Sequence, residues 1–125
     1  MIQKTILVVD DDPLMINVVR YMLSTNGFEV LNAGNGREAL DILDMPAQNI
    51  DLIITDYDMP VVNGLELAKS VKLHQKHQDT PLILMTSNTK ITFTSGEHYN
   101  VFNEIIHKPF SSEVILNKVV ALLGK

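Results

Sequence analysis

The chain has 125 residues, 46% of them hydrophobic, which suits one domain with its own core. It contains no cysteine, excluding disulfides and thiolate chemistry, and its formal net charge of −5 argues against a non-specific nucleic-acid binder, which needs a basic surface. No apolar stretch reaches the ~18 residues of a membrane span, and the N-terminus enters a strand at once without a signal-peptide pattern, so the expectation is a cytoplasmic domain with no membrane and no direct nucleic-acid contact.

Thr5-Ile6-Leu7-Val8-Val9 reads as a buried parallel strand and ends in Asp10-Asp11-Asp12. Asp12 is placed to cap a helix that starts at Pro13, carries Leu14, Val18, Tyr21 and Met22 at helical spacing, and stops at Asn26-Gly27. Phe28 to Ala33 forms a second strand. Asn35, with Glu38 three residues on, opens a second helix through Leu40 and Leu43 that ends before Pro46. The third strand, Asp51 to Asp56, leads through Asp58 and a loop at Met59-Pro60 to a third helix. There Asn63 and Glu66 repeat the cap pattern ahead of Leu67, Val71 and Leu73. Pro81-Leu82-Ile83-Leu84-Met85, ending in Thr86-Ser87, is the fourth strand, and Ile105-Ile106-His107, ending in Lys108-Pro109, is the fifth. Ser111 caps a last helix with Val114, Ile115, Lys118, Val119 and Leu122 beneath it. Between the last two strands, Asn88 to Phe102 is rich in Thr, Ser, Gly and Asn, all poor helix formers. A short, displaced or mobile helix is expected there, with Phe93, Tyr99 and Phe102 as packing anchors.

This alternation points to a doubly wound α/β fold, in which ligands bind outside the carboxyl ends of the strands where the strand order reverses. Four strands then deliver Asp10, Asp11, Asp56, Thr86 and Lys108 to one edge. Crowded carboxylates resist joint ionisation, so the cluster calls for cations. Lys108 is one, and hard oxygen ligands favour Mg²⁺ as a second. Carboxylate, metal, hydroxyl and ammonium together read as phosphoryl transfer onto an aspartate. Asp12 reads as a plain helix cap. The four histidines, His74, His77, His98 and His107, lack metal-ligand spacing and read as surface residues, and the methionines as core filler.

In Ile6-Leu7-Val8-Val9-Asp10-Asp11-Asp12-Pro13, in Asp51 to Pro60 with Asn63-Gly64, in Leu84-Met85-Thr86-Ser87 and in Lys108-Pro109-Phe110, the chain resembles the receiver domain of two-component response regulators, of the single-domain chemotaxis-regulator kind. The resemblance covers residues 1–125. It implies a flavodoxin-like three-layer sandwich around a five-stranded parallel sheet in the order 2-1-3-4-5, with two helices on one face and three on the other. It also implies a phosphorylation-activated switch rather than an enzyme, its chemistry confined to its own phosphorylation and dephosphorylation. Asp56 would be the phosphoacceptor, supplied by a histidine kinase or phosphotransfer protein. Mg²⁺ would be held by Asp11, Asp56 and the backbone carbonyl of Asp58, with Asp10 acting mainly through water. Thr86 would close on the phosphoryl group beside Lys108, and the Lys108-Pro109 bond would be cis. The output would be a changed protein-binding face for an effector protein or a fused output domain.

Two positions depart from the family pattern. Ile105 stands where the family often has an aromatic switch residue, which leaves backbone movement or Phe102 to carry the signal. Val101-Phe102 replaces a small Gly-Ala pair, which suggests a partner-specific surface around Tyr99 and Phe102. Asp58 is expected to tune phosphate lifetime. The alternatives are a constitutive receiver-like binding scaffold and an aspartate-nucleophile phosphatase of the haloacid dehalogenase type, suggested by Asp56-Tyr57-Asp58.

Overall fold

Five apolar runs become the strands β1 (Thr5–Val9), β2 (Glu29–Ala33), β3 (Leu52–Asp56), β4 (Leu82–Thr86) and β5 (Glu104–His107) of a computed structural model that describes residues 3–92 and 100–124. The strands form one parallel sheet in the order β2-β1-β3-β4-β5, as expected. Alternation along each strand explains why the runs are apolar throughout. Leu7, Val9, Ile53, Leu82 and Leu84 face one side, and Ile6, Val8, Leu52, Ile54, Ile83 and Met85 face the other. Helices α2 (Gly36–Leu43) and α3 (Gly64–Leu73) cover the first face with Ala39, Leu43, Leu67, Ala68 and Val71. Helices α1 (Pro13–Ser24) and α4 (Ser112–Leu123) cover the second with Ile16, Val19, Leu23, Ile115 and Val119. Among the described residues, no helix is long and apolar enough to cross a membrane.

The helix starts follow the local sequence. Asp12 accepts from Leu14 N–H at 3.0 Å with Pro13 in the first turn, and Asn35 accepts from Glu38 N–H at 2.9 Å. Asn63 and Glu66 bond each other's backbone N–H at 2.9 and 3.1 Å, a reciprocal capping box. Ser111 accepts from Val114 N–H at 3.3 Å, and Gly124 ends α4 with φ +69°.

The faces of the helices differ from expectation in three places. On α1, Ile16, Val19 and Leu23 are buried, whereas Leu14 and Tyr21 are 71% and 72% exposed and Val18 lies at the surface. The helix carries two apolar stripes, and only docking on the sheet selects between them. Leu73 and Val114 are likewise exposed, because at about 3.6 residues per turn Leu73 points away from the stripe of Leu67, Ala68 and Val71, and Val114 lies outside that of Ile115 and Val119. His77 is not a surface residue: it is buried beyond the end of α3, its Nδ1 3.1 Å from Thr80 Oγ1. His74 and His107 are half-buried.

Of the weak helix expected over Asn88 to Phe102, residues 93–99, with Phe93, His98 and Tyr99, lie outside the described residues, and residues 89–90 form a turn. Phe102 is described, and it is 3% exposed within the core beside Ile91. It is a packing anchor, as expected, and not part of a partner-specific surface.

Burial holds the His77 imidazole below its usual pKa, reinforced by the charges of His74 and Lys76. The unfolded chain therefore binds a proton that the folded chain resists. Its stability contribution is complete above about pH 6.5 and is lost as pH falls from there toward the lowered value. Thermal unfolding at pH 7.5 and 5.5 should show a larger loss for the native chain than for His77→Leu. Equal losses would show that His77 does not carry the effect.

Candidate functional site

In this strand order the winding of the chain across the sheet reverses between β1 and β3, which run parallel, and Asp10 and Asp56 stand on either side of that crevice. Asp10 is 1% exposed and directly follows β1, where its carboxylate accepts from Asp12 N–H at 2.9 Å. Asp56 closes β3 and is 8% exposed. Lys108, just past β5, reaches across the sheet edge to both, with Nζ 3.0 Å from Asp56 Oδ1 and 3.3 Å from Asp10 Oδ2. Asp11 is exposed and turned the same way, so that one oxygen each of Asp10, Asp11 and Asp56 lies within 4.8 Å of the others. The Lys108-Pro109 peptide is cis, in agreement with expectation.

Electrostatics make this a strained group of charges. Burial pushes the Asp56 carboxyl above its usual pKa and the Asp10 charge adds to the rise, while Lys108 and the Tyr57 N–H pull it partly back. Burial alone would lower Lys108, but its hydrogen bond and charge contact with Asp56, joined by Asp10, outweigh burial and hold the ammonium above its usual value. One ammonium against three carboxylates leaves two formal negative charges at the crevice, a charge that a divalent cation balances. The donors are all hard oxygens. Around an octahedral cation bound at about 2.1 Å, neighbouring oxygens stand about 3.0 Å apart and opposite ones about 4.2 Å, so the three carboxylates would draw together to close on one.

Thr86 ends β4 at 1% exposure, one residue beyond Met85, the register partner of Asp56. Its Oγ1 accepts from Asn88 N–H at 3.0 Å, and its carbonyl accepts from Lys108 N–H at 2.8 Å. Asp58 is exposed in the following loop, and its carboxylate is not one of the three that converge. Asp12 is the helix cap it was read to be. A cavity of about 280 Å³ adjoins Asp10 and Asp11 on the α1 side, walled by Asn17, Arg20, Asn32 and Glu38. Nothing in the spacing of those four residues along the chain marks them as neighbours.

The loop that carries Asp56 into α3 is tightly built. Gly64 N–H donates to Tyr57 C=O at 2.9 Å, and a Cβ at Gly64 would stand 2.3 Å from the Asp56 carbonyl oxygen. Gly64 thus lets the start of α3 press against the backbone of Asp56, a role that its place in an Asn-Gly pair does not reveal. Within the same loop Val61 has φ +68° and is 82% exposed. For a β-branched residue this left-handed conformation is costly and no packing repays it. Val61→Asn should raise stability by about 1 kcal/mol, seen as a higher urea midpoint at unchanged slope. An unchanged midpoint would show that the strain is absent in solution.

The family model for the response regulator receiver domain matches residues 6–120. The chain belongs to this family. A chemotaxis protein CheY homolog of Campylobacter jejuni is 36% identical over 121 residues, covering 95% of this chain and 92% of that protein. Among solved structures, the chemotaxis response regulator CheY4 of Vibrio cholerae superposes with a TM-score of 0.87 at 30% identity, covering 98% of this chain and all (100%) of that one. The response regulator TrrA of Thermotoga maritima, solved in complex with Mg²⁺-BeF, gives a TM-score of 0.84 at 34% identity, covering 97% and 100% of the two chains. The receiver domain is a phosphorylation-activated signalling switch of two-component systems, CheY-like in fold. A phosphatase of the haloacid dehalogenase type is not favoured, since Asp56-Tyr57-Asp58 starts at the end of the third strand rather than the first and the Asp58 carboxylate stays outside the cluster.

Proposed function

We propose that this receiver domain accepts a phosphoryl group on Asp56 from a histidine kinase or phosphotransfer protein, and that the aspartyl phosphate changes its protein-binding face. The observation that carries this reading is the convergence of three carboxylates with Lys108 at the crevice between β1 and β3. An Asp56 oxygen forms the new bond to phosphorus as the bond to the donor's leaving group breaks in line, the leaving group taking the electron pair. Lys108 neutralises one phosphoryl oxygen from its place beside Asp56, and the Thr86 hydroxyl donates to another. Asp11, Asp56 and the Asp58 backbone carbonyl, with Asp10 through water, would hold Mg²⁺. Bound there, Mg²⁺ would screen the carboxylates from the incoming phosphoryl group and draw charge from its oxygens. The Mg²⁺-BeF complex of TrrA supports this assignment.

The reaction ends on the chain itself, and hydrolysis of the aspartyl phosphate returns the carboxylate. In this reading residues 1–125 form one receiver domain working in the cytoplasm, with protein partners rather than membrane or nucleic acid. Those partners are a phosphoryl donor upstream and, downstream, an effector protein or a joined output domain. Mass spectrometry after incubation with acetyl phosphate and Mg²⁺ should show one phosphoryl adduct that is lost when EDTA replaces Mg²⁺. No adduct, with beryllofluoride also silent, would instead support a constitutive scaffold.

A further inference from the structure

At position 105 a half-buried isoleucine packs against the core cluster that contains Ile91 and Phe102, so no side chain there can swing out and trade a hydrogen bond. The structure supplies another link between the site and the segment after β4. Thr86 and His107 are register partners at the ends of β4 and β5. From Thr86 Oγ1 the contacts run to Asn88 N–H at 3.0 Å, and from the Asn88 carbonyl to Ile91 N–H at 3.1 Å. The Ile91 carbonyl then lies 2.8 Å from His107 Nε2. A carbonyl only accepts, so His107 carries its proton on Nε2 and donates. His107 adjoins Lys108, whose own N–H donates to the Thr86 carbonyl and whose ammonium reaches Asp56. The contacts therefore close a circuit whose two ends in the site are the Thr86 hydroxyl and the Lys108 ammonium.

We propose that His107 is a positioning residue that couples the state of Asp56 to the segment following β4. This deepens the reading of Asp56 as phosphoacceptor and rests on it. When Thr86 turns toward a phosphoryl group, Asn88 N–H follows its Oγ1 or releases it, and the turn from Asn88 to Ile91 shifts with it. Ile91 is 7% exposed in the core beside Phe102, so that shift cannot be absorbed locally. The His107–Ile91 bond holds the turn in one arrangement while Asp56 is unmodified and is exchanged when it is modified. A single half-buried hydrogen bond suits this role, because it is strong enough to bias two arrangements and weak enough to give way.

The test is nuclear magnetic resonance of the full-length ¹⁵N-labelled chain with Mg²⁺, before and after beryllium fluoride. The native chain should show a protonated Nε2 on His107, and addition should shift the Tyr57 amide, the Asn88 and Ile91 amides and the His107 ring nitrogens together. In His107→Leu the Tyr57 shift should persist at the same half-saturation, while the Ile91 response is lost. His107→Gln, which returns an N–H at similar reach, should restore it. An undiminished Ile91 response in His107→Leu would overturn the proposal. So would native ring nitrogens that stay still while Tyr57 moves, a result that needs no variant to fold. A silent Tyr57 in the native chain would overturn the phosphoacceptor reading itself, and the coupling with it.

Discussion

Asp56→Asn should melt at a higher temperature than the native chain while forming no phosphoryl adduct at all. Both effects come from one carboxylate. The fold places Asp56 at 8% exposure, and burial, with the Asp10 charge added, raises its pKa despite Lys108. Because the folded value lies above the unfolded one, the folded chain takes up the proton more readily. Stability therefore rises as pH falls through the folded value toward about 3.9, and the ionised carboxylate is a burden at neutral pH. An amide keeps the shape and removes that charge. Lys108 is not stranded, because Asp10 remains 3.3 Å away. For a domain of this size each 1 kcal/mol gained moves Tm by roughly 4 °C. The advantage of the variant should be greatest at pH 7 and above and should shrink as pH falls toward 4. Chemically the amide is no substitute, since it lacks the anionic oxygen that attacks phosphorus. A variant that melts lower at pH 7 would show that the Lys108 bridge outweighs burial. An adduct that survives would move the phosphoacceptor elsewhere.

Gly64→Ala should be the most damaging single-methyl change near the site. The added Cβ would lie 2.3 Å from the Asp56 carbonyl oxygen and 3.0 Å from Tyr57 Cα, both backbone atoms at the end of a buried strand. Nothing flexible is available to yield, so either α3 retreats or the Asp56 backbone moves. The expected cost is about 3 kcal/mol, the upper part of the usual overpacking range. The rate of adduct formation should fall as well, because displacement of an attacking oxygen degrades in-line geometry steeply. Gly34→Ala is the matched control. Its nearest neighbour is a Glu38 carboxylate oxygen at 3.4 Å, the movable tip of a side chain. Urea denaturation should separate the two clearly, and near-equal midpoints would mean that α3 can shift freely against Asp56.

Much of the site was legible in the chain because the chemistry-bearing residues directly follow the apolar runs. A parallel sheet brings the carboxyl ends of its strands to one edge, so Asp10, Asp11, Asp56, Thr86 and Lys108 had to meet there once the runs were read as strands. In the structure Asp10, Asp11, Asp56 and Lys108 do converge there, and the raised carboxyl of Asp56 is what burial, with the Asp10 charge beside it, produces. Gly64, Val61 and the wall of the cavity at Arg20 and Asn32 were not legible in this way. Their importance lies in distances between backbone segments that no local pattern encodes.

By itself the amino-acid sequence determined what is local or periodic. It set the order of strands and helices, the caps at Asp12, Asn35, Asn63 and Ser111, and the family, because these depend on neighbours within a few residues or on motifs at strand ends. Only the tertiary structure decided which apolar stripe of α1 faces the sheet, leaving Leu14 and Tyr21 outside and Ile16 and Leu23 inside. It alone buried His77, took Phe102 into the core, and brought His107 to the Ile91 carbonyl. A helix with two apolar stripes, or a histidine with two polar nitrogens, is compatible with several surroundings. The choice among them comes from the shape and unmet hydrogen bonds of elements far away in the chain.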